Sequence, residues 1–309
     1  MNLPQAVIDW LLDSDPAIRW QVMKDILHSP PAVYAKERAR LAQEGWCAQL
    51  LSLQGDDDLW NSSLYNGKWL STTYSLYLLK LLGLESLHPA ALAGCQQLLI
   101  QGLYQEEEIR FSRRQDIQDL GVTALVLSLC SYFGSEAASL VHIAHFLARQ
   151  QNTEGNWLPN HTSSASFYTF ETTLLVLEAL FQFTQRHPTG EYSAIYTAIR
   201  RGQEYLLSHH LGIVEGKLVK SQWNSFSFPC YWFYDLLTGL DYFCACQIKK
   251  DCRIQPAIDA LRSKQTRAGV WLLGRRHPGK TYFDMEETGQ PSRWNTLRAL
   301  RILAWWEEG

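Results

Sequence analysis

The stretch LLSLQGDDDLWNSSLYNGKWLSTTYSLYLLKLLGL, residues 50–84, decides the fold of this 309-residue chain. It places Gln54 six positions before Trp60, with an acidic turn between them and a densely apolar segment after them. The same spacing returns in QNTEGNW, residues 151–157, and in QTRAGVW, residues 265–271. Segments with helical periodicity flank all three turns, which indicates a repeated unit of helix, turn and helix.

The spacing of the three tryptophans predicts further, degenerate repeats. Trp60, Trp157 and Trp271 lie roughly 100 and 115 residues apart, about twice the length of a ~50-residue helix pair. A degenerate unit is therefore expected in each interval, and a helix–long turn–helix pattern is present in both. A single domain over 1–309 is predicted, with a helical N-terminal section at 1–45 and repeats at roughly 46–84, 96–134, 142–184, 200–246 and 256–307.

Two kinds of helix alternate in this pattern. The segments at 71–84, 122–133 and 172–183 are apolar on all sides, which is typical of buried helices. The segments before the turns carry mixed charge and suit an outer layer. Asp15-Pro16 and Pro291-Ser292 mark two helix starts. The sequence therefore predicts an all-α fold, an α/α toroid: a double-layered helical barrel of tandem helix pairs joined by Gln–Trp turns.

Composition and charge exclude several classes of protein. The net charge is -3 without a basic stripe, so a nucleic-acid partner is not expected. No apolar run reaches the ~18 residues that a membrane span needs, and no basic segment followed by an apolar run opens the chain. These features predict a cytoplasmic protein.

The seven cysteines are an odd number, most of them in apolar helical segments, and favour reduced thiols. Cys244, Cys246 and Cys252 raise the alternative of a zinc site, but their spacing is not a standard ligand pattern. Neither a metal nor a cofactor is expected. The 12 Trp, 14 Tyr and 12 Phe suit a thick core or a cavity walled with aromatic rings.

The Gln-x5-Trp turns resemble the repeats of squalene–hopene cyclases and of the prenyltransferase β-subunit fold. Three segments strengthen the likeness to single-domain bacterial squalene cyclase-like proteins: DPAIRWQVMKDIL at 15–27, FSFPCYWFYDLLTGLDYF at 226–243 and GQPSRWNTLRALRILAWW at 289–306. The resemblance covers nearly the whole chain. It implies the toroid fold strongly and an activity less directly, because this fold hosts several chemistries.

The resemblance directs attention to acidic residues, because class II terpene cyclases protonate an alkene or epoxide with an Asp, usually in a D-x-D-D motif. That motif is not intact here, and Asp56–Asp58 lies inside the first turn, where solvated acids are expected. Asp116 and Asp119, at the head of the second inner helix, are the preferred proton donors, with helix capping as the alternative. Arg113 and Arg114, just upstream, would lower the pKa of such an Asp or bind an anionic substrate group.

Two further acids and two histidines are candidates. Glu171 is expected to be buried, at a position where the related proteins would carry a His, and is therefore either paired or functional. Asp235 is either catalytic or a structural hydrogen-bonding residue. His161 and His277 each follow a Gln–Trp turn, where loop capping and function are both open.

Cationic intermediates require aromatic faces around them. The residues that would bind substrate lie at the heads of the inner helices: Trp69, Tyr74, Phe167, Tyr168, Trp232, Tyr234, Arg293 and Trp294. Glu286, Glu287 and Arg293 are expected to form an ion-pair cluster at the mouth of the barrel, able to bind a polar headgroup. The zinc ligands of protein prenyltransferases are not matched, because Cys230 lacks the accompanying Asp and Arg293-Trp294 stands where a His is expected.

The resemblance thus implies a terpene cyclase-like enzyme (an isomerase or lyase) that cyclises an isoprenoid by proton-initiated, class II chemistry in a central aromatic cavity. One alternative is a non-catalytic toroid that binds an isoprenoid or another lipid. Another is a glycan-active α/α barrel, with Asp119, Glu171 and Asp235 as its carboxylates. A third is a scaffold toroid whose centre is filled by side chains, those at 168, 171 and 232 among them. Peripheral membrane contact, the oligomeric state and completion of the site by a partner chain stay open at this stage.

Overall fold

The computed structural model describes residues 4–111, 118–136, 138–158 and 168–308, with the side chain of Tyr168 left out. Helices dominate these ranges, and short antiparallel strand pairs accompany them. The predicted all-α class is confirmed.

The α-helices of the described ranges are α1 (Gln5–Leu12), α2 (Pro16–Asp25), α3 (Pro31–Ala39), α4 (Gly45–Leu51), α5 (Thr72–Leu82), α6 (Pro89–Gly102), α7 (Leu120–Phe133), α8 (Ser139–Arg149), α9 (Tyr168–Arg186), α10 (Ser193–Ser208), α11 (Leu236–Ala245), α12 (Gln255–Ser263) and α13 (Arg293–Glu308). The strand pairs are β1 (Leu103–Tyr104) with β2 (Glu108–Ile109), β3 (Ile213–Val214) with β4 (Lys217–Leu218), and β5 (Trp271–Leu272) with β6 (Pro291–Ser292).

The chain divides into two compact units. The first unit comprises Met1–Ser52, Leu81–Leu84 and His209–Gly309, and the second comprises Leu53–Lys80 and Glu85–Ser208. The helix pairs α6–α7 and α8–α9 lie wholly in the second unit, and the pair α12–α13 lies wholly in the first.

In the second unit, α7 is the central helix. Its sequence LGVTALVLSLCSYF carries no charge, and nearly all of its side chains are buried. It packs along α9, and the amphipathic helix α8 packs against both. Apolar helices surrounded by amphipathic ones reproduce the predicted alternation of inner and outer helices.

In the first unit, α11 and α13 are the corresponding inner helices. They pack against each other, α12 covers α11 from outside, and α2 packs against α13. Asp15 caps α2 by accepting a hydrogen bond from the backbone N–H of Ala17 at 2.8 Å, and Pro16 is the first helical residue. Both helix starts read from the sequence, at Pro16 and just after Pro291-Ser292, are confirmed.

The glutamine of each Gln–Trp turn donates to backbone carbonyl groups. Gln54 Nε2 donates to Asp58 O inside the turn and to Ala90 O in α6, both at 2.9 Å. Gln151 repeats the arrangement with Gly155 O at 2.7 Å and with a carbonyl of α10 at 2.8 Å. Gln54 and Gln151 thereby tie their turns to the next outer helix, and Gln265 donates to Gly269 O inside its own turn at 3.2 Å. These contacts support the architectural role predicted for the glutamines.

The tryptophan of each turn is held through its backbone and its indole. Its backbone N–H donates to a threonine hydroxyl at the start of the following inner helix. The pairs are Trp60 with Thr72 at 3.0 Å, Trp157 with Thr173 at 3.1 Å and Trp271 with Thr296 at 3.0 Å. The indole N–H groups of Trp157 and Trp271 donate to carbonyl groups of α8 and α12 at 2.6 and 2.8 Å. In the degenerate second repeat, Ile109 takes the place of Trp and bonds Thr123 at 3.1 Å.

Candidate functional site

Asp119 lies at the N-terminus of α7 in the second unit. Its Oδ1 accepts a hydrogen bond from the backbone N–H of Val122 at 3.0 Å, and its side chain is exposed. Burial raises the pKa of the Tyr65 phenol, and the negative charge of Asp119 raises it further. The carboxylate therefore caps the helix and acts electrostatically on an aromatic residue of the preceding repeat.

Four aromatic residues form what we call the Tyr65 cluster: Tyr65, Trp69, Tyr74 and Phe111. The Tyr74 hydroxyl donates to the Tyr65 hydroxyl at 3.1 Å, and Tyr65 stacks on Phe111 with 5.8 Å between ring centroids. Trp69 meets Tyr74 edge to face at 4.8 Å. Two of the predicted substrate-binding residues, Trp69 and Tyr74, thus lie together in one cluster with Tyr65, the residue whose pKa is raised by the charge of Asp119.

Sequence reasoning missed Tyr65 and Phe111. Both lie in the loops between an outer and an inner helix, where no periodicity marks a buried ring. The available signal was an aromatic residue in the loop before α5 and another in the loop before α7, which an alignment of these two loops would have shown.

Several predicted residues lie outside the described part of the chain. These are Asp116 and Phe167, the upstream residues Arg113 and Arg114, and His161, and Tyr168 is described only as the first residue of α9. Glu171 is described, and its side chain is buried in the first turn of α9, 6% exposed. The positive end of a helix dipole favours a carboxylate at such a position.

Asp235 lies at the N-terminus of α11 in the first unit and is 1% exposed. Its Oδ1 accepts from the N–H and the hydroxyl of Thr238, both at 2.8 Å. Its Oδ2 accepts from the N–H of Ser227 at 3.1 Å and from the Ser227 hydroxyl at 3.4 Å. These contacts are the ones expected if Asp235 is a structural hydrogen-bonding residue.

His277 is joined to Asp235 through Ser227. Its Nε2 lies 3.0 Å from Ser227 Oγ, and its ring is stacked on Phe233 with 3.9 Å between centroids and 3° between planes. The predicted cavity residue Trp232 stacks on Phe233 as well, also at 3.9 Å. These aromatic side chains and the buried polar group come from the 226–235 segment and from the loop after β5.

Two other predicted aromatic residues of the first unit are fully buried. Trp294 stacks on Phe228 at 4.1 Å, with 10° between the ring planes. The Tyr234 hydroxyl donates to the carbonyl of Leu211 at 3.0 Å, and its ring packs edge to face on Trp223. Tyr234 is therefore a core residue whose hydroxyl is hydrogen-bonded to the backbone. These contacts differ from those expected for the predicted position of Tyr234 on a cavity wall.

Glu286 and Arg293 make different contacts from the predicted ion-pair cluster. Glu286 Oε1 accepts from the backbone N–H groups of Arg293 and Trp294 at 2.6 and 3.2 Å, so it caps α13. The Arg293 guanidinium donates to the carbonyls of Trp10 and Asp13, both at 3.0 Å, and lies over the Trp10 ring. Backbone N–H groups and carbonyls satisfy both side chains because two helix ends meet here.

The described residues form concave surfaces in both units. A groove of about 450 Å³ in the second unit is lined by residues of α6 and α8, Leu99 and Ile100 among them. A pocket of about 360 Å³ in the first unit is lined by Phe226, Lys264 and Trp271 among others. The described residues contain no group of three or more His, Cys, Asp or Glu side chains placed to hold a metal ion. None of the described helices combines the length and the apolarity needed to cross a bilayer.

The fold is that of all-α proteins built from helix pairs, and comparison with solved structures agrees. A protein from Actinoplanes is similar over 98% of both chains, with 18% identity and a TM-score of 0.50. At this identity the likeness concerns the fold alone. No protein-family model matches the sequence, and no curated protein matches it.

Weaker similarity extends to the type II terpene cyclase MstE from Scytonema. Its apo structure matches with 15% identity over 97% of this chain and 96% of that chain, at a TM-score of 0.49. A variant of MstE in complex with geranylgeranyl dihydroxybenzoate, its substrate, matches with 15% identity over 97% and 94%, at 0.48.

Proposed function

We propose that this protein is a terpene cyclase-like enzyme in which Asp119 donates the proton that starts cyclisation of an isoprenoid. The observation that carries the proposal is the electrostatic effect of the Asp119 carboxylate on Tyr65, whose phenol pKa it raises and whose ring stacks on Phe111. The sequence resemblance to squalene cyclase-like proteins supplies the reaction class. No metal or cofactor takes part in the steps proposed here.

The N-terminus of α7 supports Asp119 as a donor. After the proton leaves, the carboxylate is stabilised by the Val122 N–H and by the positive end of the helix dipole. An apolar chain lying on the Tyr65 cluster would remove water from Asp119, and desolvation favours the protonated carboxyl group that a donor needs. Substrate binding would thus favour the form of Asp119 that can donate a proton.

The Tyr65 cluster supports the isoprenoid as substrate. Its rings are large and apolar, and their faces attract a cation without reacting with it. Tyr65 and Phe111 are only partly buried, so their rings remain open to a ligand, whereas Trp69 and Tyr74 are buried. This suits a carbocation that forms next to the donor.

The contacts of Asp235 argue against the glycan-active alternative, which uses Asp235 as one of its carboxylates. All four acceptor positions of Asp235 are used by Ser227 and Thr238, so neither oxygen is left to attack or protonate a sugar. The binding-only alternative differs from the proposal in one observable, which is turnover.

Asp119→Asn tests the proposal. Asparagine keeps the cap of α7, because Asn and Asp are equivalent N-cap residues, but it cannot donate a proton from a carboxyl group. With a panel of linear isoprenoids from ten to thirty carbons, we expect the rate of substrate consumption to fall by roughly 10²-fold or more. Product formation is followed by mass spectrometry.

The matched control is Asp58→Asn, the same change in an exposed turn of the same unit. Both variants should melt within about a degree of the wild type, so that a rate difference reflects chemistry. Unchanged consumption by Asp119→Asn would eliminate this residue as the donor. Binding without consumption by the wild type would favour the lipid-binding alternative.

A further inference from the structure

The pocket of the first unit combines polar and apolar lining residues. Its volume is about 360 Å³, which is near the lower end of the range for small-molecule sites. The polar residues that line it are Ser221, Asn224, Ser225 and Lys264. All of its lining residues belong to the first unit, so the pocket is a feature of that unit alone. Its size suits a small molecule.

The polar side chains of this pocket have hydrogen-bonding capacity that the protein does not use. Within the described ranges, the Lys264 ammonium makes neither a hydrogen bond nor an ion pair, and the hydroxyls of Ser221 and Ser225 are likewise without a partner. Asn224 Oδ1 is shielded from solvent, so the acceptor end of this amide would not meet an incoming anion. An ammonium and two hydroxyls are therefore available to a ligand as donors.

Apolar side chains supply the other part of the lining. Phe226 and Trp271 are buried, whereas Leu272 is 41% exposed. A short hydrocarbon group lying in the pocket would cover Leu272 and remove apolar surface from water, which favours binding. The lining therefore suits a molecule that has a charged or polar group at one end and a short apolar group at the other.

Hydrogen bonds join the two chain segments that form the apolar lining. Asn295 Nδ2, fully buried on α13, donates to the carbonyls of Phe226 and Leu272 at 3.3 and 3.0 Å. The backbone N–H of Gly274 donates to the same Phe226 carbonyl at 2.8 Å. Because these contacts exist without a ligand, the pocket is preformed, and binding costs less ordering of the chain.

The close approach of these segments requires glycine at position 274. A Cβ atom there would lie 2.7 Å from Ser225 Oγ and 2.9 Å from the backbone nitrogen of Phe226. Both distances are shorter than Cβ atoms adopt in proteins, so any other residue would push the segments apart. Gly274 thus allows the Ser225 hydroxyl to lie close to the apolar part of the lining.

The charge at the pocket favours an anion. Of the described residues that line it, Lys264 alone has a charged side chain. Lys220, which precedes Ser221, adds a second positive charge to this segment, with its ammonium 5.7 Å from the centre of the Trp223 ring. An ammonium offers three N–H groups and each hydroxyl one O–H group. A phosphate group, with three terminal oxygens, accepts more of these hydrogens than a carboxylate with two.

We propose that this pocket binds a small phosphate monoester that carries a short apolar group. Lys264 and the two serine hydroxyls hold the phosphate, and Phe226 and Leu272 contact the hydrocarbon. The binding site lies within the first unit. It does not rest on the proposed function, whose proton donor, Asp119, belongs to the second unit.

Isothermal titration calorimetry of the full-length protein with n-butyl phosphate tests the chemistry of the ligand. We expect one molecule to bind per chain with a Kd below about 1 mM. Inorganic phosphate lacks the apolar group, and pentanoate carries a carboxylate in place of the phosphate. Each of these two compounds should therefore bind at least roughly fivefold more weakly than n-butyl phosphate.

Lys264→Met tests the position of the site, because methionine keeps an unbranched side chain and removes the ammonium. We expect the affinity for n-butyl phosphate to fall at least roughly tenfold, since hydrogen bonds to charged groups are strong. The melting temperature should stay within about a degree of the wild type, because Lys264 is exposed. Lys249→Met is the matched control, an exposed lysine of the same unit that does not line the pocket. It should leave the affinity within about twofold.

Four results would overturn the inference. The first is no saturable binding of n-butyl phosphate up to about 10 mM. Equal affinity for pentanoate would exclude phosphate as the recognised group, and equal affinity for inorganic phosphate would exclude the apolar contact. An equal loss of affinity in Lys264→Met and Lys249→Met would mean that binding follows the charge of the surface and not this pocket. These titrations measure binding without turnover, so their outcome is independent of the activity of Asp119→Asn.

Discussion

At the scale of single residues, the threonine beneath each Gln–Trp turn is as important as the tryptophan. Thr173 is fully buried, and its hydroxyl accepts the backbone N–H of Trp157. A buried N–H without an acceptor costs the desolvation of that group, about 1–3 kcal/mol. The turn therefore depends on a side chain that lies sixteen positions away in the sequence.

We predict that Thr173→Val destabilises the protein by about 1–3 kcal/mol, because valine has the same shape but cannot accept a hydrogen bond. The control is Thr184→Val in the same helix, where the buried hydroxyl only donates to the carbonyl of Phe181. Urea unfolding followed by circular dichroism measures both. Equal losses in the two variants would show that the Trp157 contact adds nothing.

The threonines also show what the sequence could and could not reveal about single residues. Gln54 and Trp60 were recognised because their six-residue spacing is constant. Their partner Thr72 was not identified as such, because the interval between Trp and Thr is 12, 16 or 25 residues in the three turns. A contact whose spacing differs from repeat to repeat produces no periodic pattern in the sequence.

At the scale of helices, the start of α13 shows how a distant side chain can begin an element. The first turn of α13 contains no acidic residue, and the cap comes from Glu286, on the loop that precedes β6. Burial raises the pKa of Glu286, and its hydrogen bonds with Ser292 and the helix N–H groups oppose that rise without cancelling it. This carboxyl group therefore holds its proton more tightly in the folded state.

A defined dependence on pH follows. Because the folded pKa is raised, the unfolded state ionises first as the pH increases above about 4.3, and stability falls until the folded pKa is passed. Glu286→Gln should remove this fall, so that wild type loses stability relative to the variant on going from pH 4 to 7. Urea midpoints at a series of pH values measure it.

Glu287→Gln serves as the comparison, since Glu287 is the neighbouring acid and is exposed. It should follow the wild-type curve. A constant difference between wild type and Glu286→Gln at every pH would contradict the proposed cause.

The helices themselves were largely predictable. The segment at 122–133 is apolar on all sides, and α7 covers it with nearly every side chain buried. The site was less predictable, because its residues are assembled by loops. Tyr65 meets Tyr74 and Phe111 through loop geometry, and Ser227 meets His277 across 50 positions, which no local pattern encodes.

At the scale of the whole molecule, the first unit joins α2, α11 and α13 through a group of partly buried charges. Arg301 on α13 bonds Asp25 on α2 and Asp241 on α11, both at 2.9 Å. Arg298 bonds Asp241 at 3.0 Å. Burial alone would raise the pKa of Asp241, but Arg301 and Arg298 together hold it below its usual range.

We predict that Asp241→Asn costs roughly 3 kcal/mol at neutral pH, because it leaves the buried Arg298 and the partly buried Arg301 without their shared anion. The wild type should lose this advantage as the pH falls below about 4, since a depressed folded pKa stabilises only while the carboxylate stays ionised. Unfolding midpoints between pH 7 and 3 measure the convergence of the two curves.

Asp259→Asn provides the matched control, because Asp259 is an exposed residue of α12 whose carboxylate accepts a hydrogen bond from Gln255 at 2.8 Å. It should change the midpoint by less than about 0.5 kcal/mol. A cost for Asp241→Asn that stays constant down to pH 3 would mean that packing, and not charge, accounts for it.

The hydrogen bond between each Gln–Trp turn and its inner helix has a practical consequence for engineering. The hydrogen bond from the Trp backbone to the inner-helix threonine is kept whether 12, 16 or 25 residues separate the two groups. The same hydrogen bond is therefore compatible with loops of different length. Because the candidate aromatic and acidic groups are carried by these loops, loop grafting between natural or designed relatives offers a route to new substrates on an unchanged helical scaffold.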